Sequence, residues 1–214
     1  MKLDEVSALL TPANLPYVNG LKRLPNGVLH VAVHTRLPEV SPEMVRWWFG
    51  EYLQTTEHYK RWHPRDHVWM RWEDKKPGTH IGAKHLVHEY VGGRLRKLRI
   101  AFVPPEDFFQ NALARVPDAV AVCGRAGLLD RPIEVGHLVH LALPCDSGCE
   151  LHSRFWLGHF ASRSRATALD SIANRPWVRR RLASLSFGQA LAAHCREEMS
   201  TLAGVLPELY AEEA

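Results

Sequence analysis

The sequence predicts an α+β fold in which one antiparallel sheet packs against a long C-terminal helix. Three observations lead to this prediction. Strand-like segments occupy the middle of the chain, Gly-containing turns separate several of them, and helical spacing takes over from Ser162 onward. Strands joined by short turns pair antiparallel, so the simplest packing is a curved sheet that grips the last helix.

The first predicted element is a strand over residues 27–35, in which apolar and polar residues alternate. A helix follows, with Ser41 as its N-cap and Pro42 in its first turn, and it runs through Phe49. Further strands are predicted over six segments, at residues 67–73, 80–91, 94–103, 118–127, 133–143 and 150–160.

The turns and the last helix complete the predicted order of elements. The pair Gly92 and Gly93 and the segment 146–148 predict hairpin turns, and residues 104–109 predict a short helix that interrupts the sheet. A long helix over residues 187–210 is expected to end the chain.

Length and composition favour one folded unit. With 214 residues, 46% of them hydrophobic, and no low-complexity tract, the chain can bury a full core. We therefore expect a single catalytic domain over residues 1–214, with residues 1–26 as an N-terminal extension. Four cysteines without a secretory signal indicate reduced thiols, and a cytoplasmic protein is expected.

The charge distribution argues against nucleic-acid and membrane partners. The net charge of +4 is concentrated in residues 94–99 and 175–181, which are interpreted as solvated faces of a strand and a helix. No segment approaches the roughly 18 apolar residues of a membrane span.

The last helix carries the most informative polar residues. Its apolar stripe comprises Leu191, Cys195, Leu202, Val205 and Leu206. His194 and Glu198 lie on the same stripe, four residues apart, so both point toward the sheet. A buried carboxylate there needs a partner, which is either a paired cation or a bound metal ion.

A metal site needs further ligands from the sheet. His67 begins a strand, and Glu89 shares a strand face with His85 and Val87. His63 and His67 form an alternative pair, but Pro64 disfavours one helix through both. His85 and His88 are interpreted as packing or surface residues.

A separate zinc knuckle is a further alternative. Cys145 and Cys149 have a suitable spacing with His152 nearby, but no second pair at knuckle spacing completes the set. The two cysteines are therefore interpreted as thiols that flank a turn.

Several separated motifs together resemble a known family. They are Trp47-Trp48-Phe49, Tyr59-x-x-Trp62-His63-Pro64-x-Asp66-His67, Glu89 followed by Gly92-Gly93, Ser153-Arg154-Phe155-Trp156-Leu157-Gly158, and His194-x-x-x-Glu198. In this order, from about residue 28 to residue 206, they resemble the diacetylphloroglucinol hydrolase family, which includes phloretin hydrolases.

The resemblance implies a fold, a cofactor and a reaction. It implies a helix-grip domain similar to the Bet v 1 and START folds, which holds one zinc ion per chain through His67, Glu89, His194 and Glu198. It also implies hydrolysis of the carbon–carbon bond between an acyl group and a phenolic, phloroglucinol-like ring or a related β-diketone, with release of a carboxylic acid. The expected partner is a small aromatic ketone, and a homodimer is left open.

The resemblance also assigns residues around the substrate. Tyr59 and His140 fall where polar groups contact the ring hydroxyls and the carbonyl, and either is a candidate acid for the ring carbon. Met70 and Phe155 stand where the family carries polar side chains that contact the substrate, which predicts a less polar substrate. Two alternatives remain: a helix-grip protein that binds apolar aromatic ligands without catalysis, and a different metal-dependent reaction such as another hydrolysis or a cyclisation.

Overall fold

Eight antiparallel strands form one sheet. The computed structural model describes residues 1–164 and 168–214. The strands follow the spatial order β1-β2-β8-β7-β6-β5-β4-β3. Their bounds are Gly20–Arg23 (β1), Leu29–Pro38 (β2), His67–Glu73 (β3), Lys84–Val91 (β4), Arg94–Val103 (β5), Val120–Leu128 (β6), Ile133–Cys145 (β7) and Gly148–Ser162 (β8).

In the part of the chain that the structure describes, six α-helices connect and cover the sheet. They are Pro42–Trp47 (α1), Thr56–Trp62 (α2), Glu106–Phe109 (α3), Ala168–Ala173 (α4), Pro176–Leu182 (α5) and Leu185–Glu213 (α6). A π-helix over Trp48–Tyr52 continues α1, and short 3-10 helices span Leu3–Leu10, Pro12–Asn14 and Leu113–Arg115. Among these described residues, no helix combines the length and apolar character needed to cross a membrane.

Helix α6 packs on one face of the sheet, here called the inner face. The Ser184 hydroxyl accepts a hydrogen bond from the Phe187 amide at 3.1 Å, which caps the first turn. Gly188 brings the helix backbone so close to Leu21 and Leu29 that an added Cβ would lie 2.6 and 2.7 Å from their side chains. A sheet gripping a long C-terminal helix confirms the predicted α+β helix-grip fold.

The sheet separates two apolar cores. The inner core contains α6, α1 and the inward side chains of the central strands. On the opposite, outer face, Val6 and Leu9 of the first 3-10 helix cover Trp156 of β8. The Trp156 indole also donates a hydrogen bond to the Met1 carbonyl at 3.1 Å. The N-terminal segment therefore shields part of the outer face from water.

The predicted elements appear with few shifts in their bounds. Strands β3 and β5 have the predicted bounds, and α6 extends beyond residues 187–210 at both ends. The strand that the sequence predicts first, over residues 27–35, is the second strand of the structure. An additional strand, β1, lies within residues 1–26 and pairs with β2. Its four residues are too few to show an alternating pattern. Helix α2 also lacked a distinct sequence signal.

Both predicted hairpin turns are present. Gly92 and Gly93 have φ angles of 60° and 72°, a conformation that glycine adopts without steric strain. They join β4 to β5, and the turn around Gly148 joins β7 to β8. Because β4 and β5 pair in continuous register, this turn fixes the face on which Glu89 lies.

Candidate metal centre

Two strands and one helix bring four candidate ligands together. His67 opens β3 and lies directly opposite Glu89 of β4 in the antiparallel register. His194 and Glu198 lie one helical turn apart on α6, and both are buried. The sheet and the helix therefore each supply one imidazole and one carboxylate.

The ligand atoms of this group are close in space. His67 Nε2 lies 3.5 Å from Glu198 Oε2, and His194 Nε2 lies 3.8 Å from the same oxygen. Candidate ligand atoms of His67, Glu89 and His194 all lie within 4.8 Å of one another. The structure thus brings together all four residues that the sequence singled out.

The outer nitrogen of each imidazole has a hydrogen-bond partner that fixes its orientation. His67 Nδ1 donates to the Tyr59 carbonyl oxygen at 2.8 Å, because a carbonyl can only accept. His194 Nδ1 faces Asp66 Oδ2 at 3.4 Å. With Nδ1 as the donor in both rings, Nε2 is the nitrogen that faces the centre of the group and would bind an ion.

The two Nε2 atoms are buried and have no hydrogen-bond partner among the described residues. A buried nitrogen without a partner loses the hydrogen bond it would make to water, which costs about 1 to 3 kcal/mol. Two free imidazole lone pairs and two carboxylates form a donor set suited to a divalent transition metal. The residues present therefore fit such an ion.

The carboxylates and imidazoles strongly perturb one another. Burial raises the pKa of Glu198 to about 8, with His194 opposing the shift and Glu89 adding to it. Burial by itself would lower the pKa of His194, but the nearby carboxylates of Glu198, Glu89 and Asp66 outweigh it and raise the pKa. Burial lowers the pKa of His67 to about 4. Without an added cation, this group retains protons that a metal would displace.

Tyr59 lies against the two sheet residues of the group. Its ring stacks on His67 with centroids 3.7 Å apart, and its hydroxyl donates to Glu89 Oε2 at 2.5 Å. Burial, together with the negative charge and hydrogen bond of Glu89, raises the pKa of Tyr59 well above its ordinary value. Tyr59 is therefore a neutral phenol that orients the Glu89 carboxylate.

A cavity of about 130 Å³ extends into the inner core from three of the four residues, Glu89, His194 and Glu198, which line it. Its wall is largely apolar and includes Phe49, Leu98, Ile100, Phe102, Leu138, Phe155, Leu157, Phe187 and Leu191. The polar side chains in the wall include Tyr59, His85, Glu89, His140, His194 and Glu198. An apolar pocket with a few convergent polar groups is typical of small-molecule sites.

His140 projects from β7 into this wall. It shares a 2.8 Å hydrogen bond with the Ser153 hydroxyl and lies against the rings of Phe49 and Phe155. Burial lowers the pKa of His140 to about 4, so the imidazole is neutral at physiological pH. It can accept or donate a hydrogen bond as a neutral group.

The two substrate-contact candidates occupy different environments. Phe155 lines the cavity. Met70 is 4% exposed and packs in the inner core, and within the described part of the chain it is not in the cavity wall. Its backbone amide and carbonyl are both within hydrogen-bonding distance of the Thr56 hydroxyl, which fixes β3 against α2.

Two residues of the site region gained roles that sequence reasoning had not given them. His85 lines the cavity as a buried side chain, and Asp66 contacts His194 across 128 positions of the chain. The adjacency of Asp66 to His67 was visible in the sequence, but nothing in the sequence linked it to α6. The zinc-knuckle alternative is not supported, because Cys145 is exposed, Cys149 is buried, and His152 faces Glu150.

Several named proteins are similar to this chain along nearly its whole length. A 2,4-diacetylphloroglucinol hydrolase from Pseudomonas sp. is 27% identical over 238 residues, covering 98% of this chain and 76% of the relative. A second, from Pseudomonas protegens, is also 27% identical and is covered over 73% of its length. The phloretin hydrolase of Eubacterium ramulus is 26% identical over 228 residues, covering 98% and 78%.

Solved structures and a family model complete the comparison. Ara h 8.0201 aligns with 85% of this chain and 99% of its own at a TM-score of 0.48 and 10% identity. Norcoclaurine synthase from Thalictrum flavum aligns with 94% and 98% at a TM-score of 0.46 and 11% identity. The family model described as the DAPG hydrolase PhiG domain matches residues 1–211. This protein therefore belongs to the diacetylphloroglucinol hydrolase family.

Proposed function

We propose that this protein is a zinc-dependent hydrolase that cleaves the bond between an acyl group and a phenolic ring, or the equivalent bond of a β-diketone. The products are a carboxylic acid and the deacylated ring. His67, Glu89, His194 and Glu198 hold one zinc ion. All four come from one sheet and the helix it grips, which supports residues 1–214 acting as a single catalytic domain.

The observation that carries the proposal is the pair of buried Nε2 atoms aimed at Glu198. Neither has a hydrogen-bond partner within residues 1–164 and 168–214, and the hydrogen bonds at Nδ1 hold both rings in the tautomer that a metal requires. A carrier of apolar ligands gains nothing from a buried carboxylate at Glu198 beside a half-buried one at Glu89, whereas a metal compensates for their burial. The names of the relatives support hydrolysis of phenolic ketones.

When bound, zinc supplies Lewis acidity, which polarises a carbonyl oxygen and lowers the pKa of water to about 7. The chain's own residues supply orientation. Tyr59 fixes Glu89, and Asp66 fixes His194, so two of the ligands are held in place before a substrate enters. The apolar wall of the cavity excludes bulk water from the substrate ring.

The reaction places the elements of one water molecule on the two products. The hydroxyl joins the acyl carbon, the bond from the acyl carbon to the ring breaks, and the ring carbon takes a proton. Neutral His140 is suited to hydrogen-bond a ring hydroxyl or its keto form, which holds the ring in position while its carbon takes the proton. Tyr59 is less suited to donate a proton, because its pKa is raised and its hydrogen is directed to Glu89.

The cavity indicates a substrate with substantial apolar surface. Phe155 and its aromatic and aliphatic neighbours contribute no hydrogen bonds to ring hydroxyls, whereas His140 and His85 contribute a few. An acylated phenol with few hydroxyl groups and an apolar acyl or aryl-alkyl chain matches this distribution.

The test combines metal content with product release. Purified wild-type protein is expected to carry about one tightly held zinc at this centre and to release acid from 2,4-diacetylphloroglucinol or phloretin. Glu198→Gln keeps the side-chain shape, and we expect zinc affinity at the centre to fall at least about 100-fold with loss of acid release. Glu208→Gln, at an exposed position of the same helix, is the matched control and should behave as wild type.

Two outcomes would overturn the assignment. Acid release by Glu198→Gln at the wild-type rate would exclude Glu198 from the chemistry. A wild-type protein that binds phenolic ketones but neither binds zinc nor releases acid would instead be a helix-grip ligand-binding protein.

A further inference from the structure

A second group of metal-ligating side chains lies on the outer face of the sheet, opposite the candidate metal centre. His34 of β2 and His152 of β8 are direct partners in the antiparallel register. Glu150 lies two residues before His152, so its side chain is on the same face. None of these three residues lines the cavity described above.

The geometry brings one carboxylate oxygen to both imidazoles. The rings of His34 and His152 are stacked, with centroids 4.9 Å apart and planes at 21°. Glu150 Oε2 lies 3.3 Å from His34 Nε2 and 3.8 Å from His152 Nε2. Candidate ligand atoms of the three residues lie within 4.8 Å of one another.

These imidazoles are not satisfied by hydrogen bonds. His34 Nε2 and both ring nitrogens of His152 are buried and have no hydrogen-bond partner in the described chain. His152 is 1% exposed, so bulk water has little access to its ring nitrogens, whereas the side chains of His34 and Glu150 are partly exposed. An unpartnered, buried histidine beside a carboxylate is costly unless a further ligand compensates for it.

Among the described residues, only one of the two carboxylate oxygens of Glu150 faces an arginine, so the other is available to a metal ion. Arg36 Nε lies 3.7 Å from Glu150 Oε1, while Oε2 is turned to the two histidines. Neither ring nitrogen of His152 has a hydrogen-bond partner in the described chain, so Nε2 is available to an ion. Arg154 donates hydrogen bonds to backbone carbonyls nearby, and its positive charge opposes the binding of a metal ion at this group. We therefore expect weaker binding here than at the four-ligand centre.

We propose that His34, Glu150 and His152 bind a divalent transition metal on the outer face of the sheet. Two imidazoles and one carboxylate match the ligand preference of zinc and related ions, and water completes the coordination. The ion would cross-link β2 and β8 near the hairpin that leads into β8. The proposal does not depend on the four-ligand centre or on the proposed reaction.

The test measures metal stoichiometry rather than activity. The full-length chain with Glu198→Gln, in which the four-ligand centre is impaired, is dialysed against a chelator and titrated with zinc by calorimetry. We expect this chain to bind about one zinc in the titration. Adding Glu150→Gln should weaken this binding at least about 100-fold, because a direct ligand is lost.

The variants are chosen so that folding does not obscure the result. The side chains of His34 and Glu150 are 19% and 32% exposed, so His34→Gln and Glu150→Gln disturb the core less than a change at His152. His30→Gln is a strict control: His30 lies on the same strand and face and is as buried as His152, but it is hydrogen-bonded to Tyr17. Circular dichroism checks that each variant is folded.

The expected pattern is loss of zinc binding in His34→Gln and Glu150→Gln and its retention in His30→Gln. Equal stoichiometry and equal Kd in all of these proteins would overturn the proposal. So would the absence of zinc binding by the Glu198→Gln chain. If only the wild-type chain binds one zinc, the four-ligand centre stands and the outer site is refuted.

Discussion

Acid sensitivity is expected to depend on buried neutral histidines, and His80 offers a clean test. Its side chain is 6% exposed, packs against Phe49 and Phe102, and has a buried Nε2 without a hydrogen-bond partner in the described chain. Burial, with smaller contributions from the positive charges of Lys75 and Arg46, lowers the pKa of His80 to about 4. Replacing His80 with glutamine removes this titration.

Proton linkage sets the sign and the size of the effect of His80 on the free energy of unfolding. Between pH 6.5 and 4 the unfolded chain binds a proton at His80 and the folded chain does not, so acid favours unfolding. The stabilisation is present above pH 6.5 and is lost as the pH falls. One pH unit is worth about 1.4 kcal/mol, so lowering the pH from 7.5 to 5.5 should destabilise wild type by about 1.4 kcal/mol through His80.

Urea denaturation at the two pH values measures this difference. Chelator is present throughout, so that metal release at low pH does not contribute. The pH-dependent loss of unfolding free energy should be about 1.4 kcal/mol smaller in His80→Gln than in wild type. Any effect of the substitution that does not depend on pH cancels, because each protein is compared with itself at the two pH values. Equal losses in the two proteins would show that His80 is protonated without unfolding and would refute the reasoning.

Three further predictions concern the site and the turn beside it. Asp66→Asn should weaken zinc binding about 10- to 100-fold in chelator competition, since the hydrogen bond to His194 loses its charge; unchanged affinity would contradict the orienting role. Phe155→Tyr should raise kcat/KM for polyhydroxylated acylphenols relative to less hydroxylated ones, and an unchanged ratio across a substrate panel would count against it. Gly92→Ala should lower the Tm more than Gly93→Ala: both have positive φ, but only at Gly92 would a Cβ lie 2.8 Å from α6, and equal Tm losses would contradict that clash.

Local patterns in the sequence were enough to predict most of the fold. Alternation placed Glu89, Val87 and His85 on one face of β4, and all three line the cavity. Helical spacing placed His194 and Glu198 on the buried stripe of α6, where both are buried. These predictions succeed because the face on which a side chain lies is set by the period of its own element.

The shorter elements were harder to predict. Strand β1 has four residues and is held by pairing with β2, and α2 has seven residues that pack against β3. In such short elements, stability comes from tertiary contacts more than from local propensity. Their sequences therefore carry little signal of their own.

The sequence by itself determined which side chains face inward and which residue types are available for metal chemistry. Only the tertiary structure decided which of them meet: His67 with Glu198, Asp66 with His194, and His34 with His152 on the other face. It also decided that Met70 packs in the core while Phe155 lines the cavity. The physical reason is that periodicity fixes the direction of a side chain, whereas distances between elements depend on sheet order, register and the position of α6, which residues far apart in the chain determine together.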